Sequence, residues 1–165
     1  MRSRLPAFGA AAGVFVLDQI TKLAIRGSMS EMDVRPVIPG FFDIVHAENA
    51  GAAFSFFAHS PAQWRNLVLV GIAAAALVFI AVLLWRAGGR VAQSAVLRSG
   101  LALIIGGAFG NLYDRIIHGT VTDFLDVYIR TYHWPAFNVA DSAITIGALL
   151  VLWDTLRASR AAEVK

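Results

Sequence analysis

The chain contains no cysteine. That excludes disulfides, zinc–thiolate sites and a cysteine nucleophile together. Charge is sparse as well. Only 15% of the 165 residues are Asp, Glu, Lys or Arg, while 58% are hydrophobic and the mean hydropathy is +0.65. A soluble domain of this size needs more polar surface, so the composition reads as membrane-embedded. The four histidines (His46, His59, His118 and His133) are scattered, with no HExxH or similar metal spacing, and read as loop or interfacial residues. No GxSxG elbow is present. A serine–lysine dyad would have to recruit Lys22 from within an apolar run. The net charge of +3 comes from arginines at the ends of apolar runs, not from a basic stripe interleaved with aromatics, so nucleic acid is not an expected partner. No metal or organic cofactor is expected either.

What is present is a set of four apolar segments near the ~20 residues that a membrane crossing takes. They run over 5–25, 66–85, 95–113 and 137–153 of one domain, 1–165. The first follows Arg2 and Arg4 and imitates a signal peptide, but Asp18 and Lys22 interrupt it and Arg26 stands where a small-residue cleavage site belongs. Four spans put both termini on one side. Arginines at positions 2 and 4, at 86, 90 and 98, and at 157 and 160 then make those regions cytoplasmic. Two loops face outward. In the first, Phe41–His46 is β-branched and aromatic and predicts a short strand. The second holds Phe124, Tyr128, Tyr132 and Trp134 and is expected as a loop at headgroup level.

Acids near a bilayer are expensive, roughly +2.5 to +3.5 kcal/mol on insertion scales. Asp123 lies in Val121-Thr-Asp-Phe-Leu-Asp126, and Asp141 stands at the mouth of the last span. Gathered at one membrane face, two carboxylates can divide one proton and activate a water, the chemistry of an aspartic protease. Asp126 is a further acid within reach, or simply solvated. Asn138 is three residues before Asp141, on the same helix face, placed to hydrogen-bond it or its partner; the plainer alternative for Asp141 is a helix cap or dipole pairing. Asp18 and Lys22 share a helix face four residues apart, either neutralising each other or contacting substrate. Gly106–Gly110 has small-xxx-small spacing, which favours close helix packing. Asn111, Asp114 and Arg115 follow on one face, as a structural network or as one orienting catalytic groups. Asn49 and Gly51 form a turn or present an amide to a peptide. Embedded acids with Lys22 also fit a small proton-coupled transporter or channel, although inverted repeats are not evident.

Together the stretches Asp18-Gln-Ile-Thr-Lys22, Asn49-Ala-Gly-Ala-Ala-Phe54, Gly106-Gly-Ala-Phe-Gly-Asn-Leu-Tyr-Asp-Arg115, Val121-Thr-Asp-Phe124 and Phe137-Asn-Val-Ala-Asp141 resemble the lipoprotein signal peptidase (signal peptidase II) family. The resemblance implies an all-α membrane protein with four transmembrane helices, a small extracytoplasmic β-sheet cradle and an amphipathic interfacial helix, the last matching Phe54–His59. It implies a bacterial aspartic endopeptidase of the cytoplasmic (inner) membrane, acting near the extracytoplasmic face. The enzyme would act as a monomer among membrane lipids on diacylglyceryl-modified prolipoproteins, cleaving before the lipid-modified cysteine, with globomycin as inhibitor. Carried over by resemblance, the catalytic pair is Asp123 and Asp141. The substrate-binding and supporting positions are Asp18, Lys22, Asn49, Gly51, Asn111, Asp114, Arg115 and Asn138.

Overall fold

The computed structural model describes residues 5–51, 62–86 and 94–163. Among the described residues there are four helices: α1 (Leu5–Ser28), α2 (Ala62–Arg86), α3 (Ala95–Ile117) and α4 (Val139–Glu163). Four strands complete the described chain: β1 (Val34–Ile38), β2 (Phe42–Asn49), β3 (Val121–Ile129) and β4 (Tyr132–His133). Among the described residues three stretches are long and apolar enough to cross a membrane: Ala7–Ser28, Ala95–Ile117 and Val139–Arg160. At 1.5 Å per residue each is about 33 Å long, close to the ~30 Å of a hydrocarbon core. In α2, which covers the expected 66–85 span, the apolar stretch is Asn66–Ile80. The expected interfacial helix at Phe54–His59 lies outside the described residues, as do Arg2, Arg4 and Arg90.

Burial is inverted relative to a water-soluble fold. Leu17, Ile20 and Leu23 of α1 and Leu149, Leu152 and Trp153 of α4 are more than half exposed. The largest fully buried side chains are Lys22, Val121, Asn138, Thr122, Asp18 and Asp114. Apolar residues therefore face outward, as lipid requires, and the polar ones must find partners within the bundle.

Glycines let α3 approach its neighbours closely. A Cβ on Gly106 would sit 2.5 Å from the Ala11 carbonyl oxygen of α1, and one on Gly107 would collide with the Ala140 carbonyl of α4. The Gly106–Gly110 spacing thus serves close packing, as expected. Gly110 does more: a Cβ there would stand 2.5 Å from Asp18 Oδ2, so its absence makes room for that carboxylate. Phe15 adds edge-on contacts to Phe109 and Tyr113, with ring centroids 5.5 and 5.7 Å apart. Ser94 caps α3 and hydrogen-bonds Asp154 of α4.

The strands form one antiparallel sheet in the order β1-β2-β3-β4. The strand expected at Phe41–His46 is found as β2. Four expectations need correcting. Val121–Ile129 is a nine-residue strand instead of a headgroup loop, because β2 offers a ladder for its β-branched and aromatic residues. His46 is a buried strand residue, not an interfacial one, with both ring nitrogens hydrogen-bonded. Asn138 is not on the helix face with Asp141. It precedes α4 and caps it, so the helix begins at Val139 instead of Phe137. The helices also run past the expected span ends, α3 to Ile117 and α4 to Glu163, and the membrane-length apolar stretches themselves reach Ile117 and Arg160.

Candidate active site

Helix α1 contributes a polar face through Asp18, Lys22 and Arg26, one turn apart each. The buried Lys22 ammonium is 2.8 Å from Asp18 Oδ2, 2.8 Å from Asp114 Oδ2 and 2.9 Å from Asn111 Oδ1. Three acceptors satisfy the three hydrogens of an ammonium. Asp18 Oδ1 accepts the backbone N–H of Ala140 at 2.9 Å, in the first turn of α4, where a helix offers unpaired donors. Gln19 Nε2 reaches Asp18 Oδ2 at 3.1 Å and Asp114 Oδ1 at 3.2 Å. Arg26 lies 3.3 Å from Asp114 Oδ1. The Asp18–Lys22 pair is therefore a junction between α1, α3 and α4, not a self-contained neutral couple.

Two asparagines carry the junction to the acids. Asn111 Nδ2 donates to Asp141 Oδ1 at 2.7 Å, while its Oδ1 accepts from Lys22. Asn138 Nδ2 donates to Asp123 Oδ1 at 2.7 Å and approaches Asn111 Oδ1 at 3.3 Å. Asn138 and Asp141 also form a reciprocal cap. Asp141 N–H donates to Asn138 Oδ1 at 2.9 Å, and Asn138 N–H to Asp141 Oδ2 at 3.3 Å. Capping and site membership are thus the same geometry for Asp141. On the sheet side, Asn49 Nδ2 donates to Asp123 Oδ2 at 2.9 Å. The Asn49 amide is aimed by its own turn, because its Oδ1 accepts the Gly51 N–H at 2.8 Å and Gly51 adopts φ 95°.

Asp123 is 3% exposed. Burial pushes its carboxyl up to about 6, and the neighbouring Asp141 charge adds to the rise. The Asn49 and Asn138 amides and the Lys22 ammonium oppose it without cancelling it. The pair can therefore hold one proton at mildly acidic pH, up to about 6, with the hydrogen bonds to the acids among the described residues coming from amides.

Of the positions singled out in sequence, Asp18, Lys22, Asn49, Asn111, Asp114, Asp123, Asn138 and Asp141 converge in one network, and Gly51 fixes Asn49. Arg115 sits on α3 beside Asp114, and its carbonyl accepts from Asn66 Nδ2 of α2 at 2.8 Å. Asp126 is not in the network; it faces Asp43 across the sheet and pairs with His133 at 2.8 Å. Sequence reasoning missed Gln19, Arg26, Glu48 and Thr122. Arg26 was one turn beyond Lys22 on the same face, a legible signal; Gln19 depends on how α1 meets α3, and Glu48 and Thr122 on strand register. Among the described residues no group of three or more His, Asp or Glu is arranged as a metal site.

Membrane-length helices around a buried Asp123 and a half-buried Asp141, with a small sheet beside them, define the class: a membrane-embedded protein with a carboxylate-based site. A family model described as Signal peptidase (SPase) II matches residues 10–157. Relatives include a lipoprotein signal peptidase of Solibacter usitatus, 52% identical over 159 residues that cover 96% of this chain and 95% of the relative. Another, from Ralstonia nicotianae, is 46% identical over 155 residues, covering 94% and 86%. Two solved structures described as bacterial membrane enzymes, studied by the in meso method, share the fold. The one at 2.3 Å has a TM-score of 0.80 and 29% identity, covering 93% of this chain and 89% of the other. The one at 1.9 Å has a TM-score of 0.76 and 30% identity, covering 92% of each. The chain belongs to the signal peptidase II family. The transporter alternative finds no support among these relatives.

Proposed function

We propose that Asp123 and Asp141 are the catalytic pair of this signal peptidase II, an aspartic peptidase that removes signal peptides from prolipoproteins. The observation that carries the assignment is the amide bridge: Asn138 and Asn111 link the two carboxylates to each other and to Lys22. In the resting pair one carboxyl keeps its proton and the other is ionised. The ionised group takes a proton from a water as that water attacks the scissile carbonyl. The protonated group donates to the carbonyl oxygen and stabilises the developing charge. As the tetrahedral species collapses, the leaving amine takes up a proton from the pair. Lys22, Asp18, Asp114 and Asn111 hold Asp141 in place; Asn49, Gly51 and Asn138 hold Asp123. Arg115, at the end of α3, is assigned to the substrate side.

The proposal extends to α2 as a fourth span in a bacterial cytoplasmic membrane. Both termini are then cytoplasmic, the sheet is extracytoplasmic, and the protein works as a monomer. Cleavage falls before a diacylglyceryl-modified cysteine, and globomycin blocks it. Purified protein in detergent should cleave a diacylglyceryl-modified prolipoprotein at that cysteine and leave the unmodified precursor intact. Cleavage of neither, or of both equally, contradicts the substrate assignment. Tags at both termini should report from the cytoplasm and a tag at the exposed Met32 from outside. An external C-terminus contradicts the four-span arrangement.

A further inference from the structure

One carboxylate beside the site is not used by the chemistry above. Glu48 precedes Asn49 on β2 and is held by four side chains. The Thr120 hydroxyl donates to Oε2, and the Thr122 hydroxyl donates to Oε1 at 2.7 Å. His46 Nε2 is 3.0 Å from Oε1, and its Nδ1 reaches the Met29 carbonyl at 3.0 Å. Arg26 lies 3.9 Å from Oε1 and donates from Nε to the Thr122 hydroxyl at 2.7 Å. Burial alone would raise the Glu48 carboxyl. The hydrogen bonds from Thr120, Thr122 and His46, with the Arg26 charge, outweigh burial and hold it below its usual range.

The register of β2 gives this arrangement a purpose. Ile44 pairs with Leu125, but Ala47 pairs with Asp123, Glu48 with Thr122 and Asn49 with Val121. The strand therefore gains one residue in a bulge between Ile44 and Ala47. Without that bulge the earlier phase would continue. Asn49 would fall opposite Thr120, and its amide would leave the face that carries Asp123. Glu48 distinguishes the two phases. In the bulged phase it stands opposite Thr122, on the face that also carries Thr120. In the other phase it would stand opposite Val121, away from both hydroxyls and from Arg26.

We infer that Glu48 is a positioning residue: it pins the bulged register of β2 on β3 and so holds the Asn49 amide against Asp123. The inference rests on the reading of Asp123 as catalytic. The test compares Glu48→Ala, Glu48→Gln and Thr120→Val with the parent, as purified full-length protein acting on a lipid-modified prolipoprotein. Glu48→Ala should lower kcat about tenfold with KM within about twofold, as expected when an acid is misplaced but substrate still binds. The midpoint of the pH–rate limb set by Asp123 should move up, because without the Asn49 donor Asp123 holds its proton more tightly. Glu48→Gln keeps an acceptor for Thr122 and should recover most of kcat. If Glu48→Ala does not fold, Thr120→Val carries the test, with a smaller change in the same direction. Lower thermal stability with kcat and pH midpoint unchanged overturns the inference. Asp123→Asn runs alongside: retained turnover there sinks the catalytic reading itself, whereas an inactive Asp123→Asn with a parental Glu48→Ala sinks only the register pin.

Discussion

Asp123 has an amide donor on each oxygen, and these donors limit how far burial raises its proton affinity. Removing one has a predictable sign. Asn49→Ala takes away a group that favours the ionised form, so a pH–rate midpoint near 6 in the parent should move upward; a downward or absent shift contradicts the assignment of that limb to Asp123. The same raised proton affinity acts on stability. A carboxyl raised in the folded state stabilises the fold below pH ~4, and that stability is lost as pH rises through about 6. Thermal melts of the parent in detergent should therefore fall between pH 5 and 8 by more than those of Asp123→Asn, in which this titration is missing. At this scale the sequence was legible where a residue's chemistry was anomalous for its surroundings. An acid or a lysine in an apolar run asks for a partner. The identity of the partner was not legible: that Lys22 also reaches Asp114 and Asn111 depends on how α1 meets α3.

Among the elements, α3 shows how packing and chemistry share residues. Gly106 and Gly107 face different helices, and Gly110 faces a carboxylate. Gly110→Ala should force Asp18 Oδ2 aside and loosen its bond to Lys22, costing about 1–3 kcal/mol of stability and slowing cleavage. Gly13→Ala on α1, where a Cβ would meet nothing within 4 Å, should leave both unchanged. Equal melting temperatures for the two variants contradict the close-approach account. Helices were legible from apolar length, and β2 from its β-branched run. Strand β3 was not, because its first four residues are all buried and show no alternation to read. Its identity as a strand comes from pairing with β2, nearly eighty positions away in sequence. The cap at Asn138 was legible as a spacing, but only the fold shows Asn138 serving α4 and Asp123 together.

For the whole molecule, the inverted burial explains why a chain with so few charges concentrates them. Lipid-facing surfaces need no polar group, so the buried charges Asp18, Lys22, Asp114 and Asp123 gather with Asn111 and Asn138 where helices and sheet meet. That junction is where the central claim is exposed. The most direct measurement is the rate of cleavage of a diacylglyceryl-modified prolipoprotein by Asp123→Asn and by Asp141→Asn, each checked for folding by its melt. Asparagine keeps the shape of the side chain but cannot give or take the proton. The account predicts turnover lower by at least about a thousandfold in both variants, with folding retained. Near-parental turnover by either folded variant would contradict the paired-aspartate mechanism.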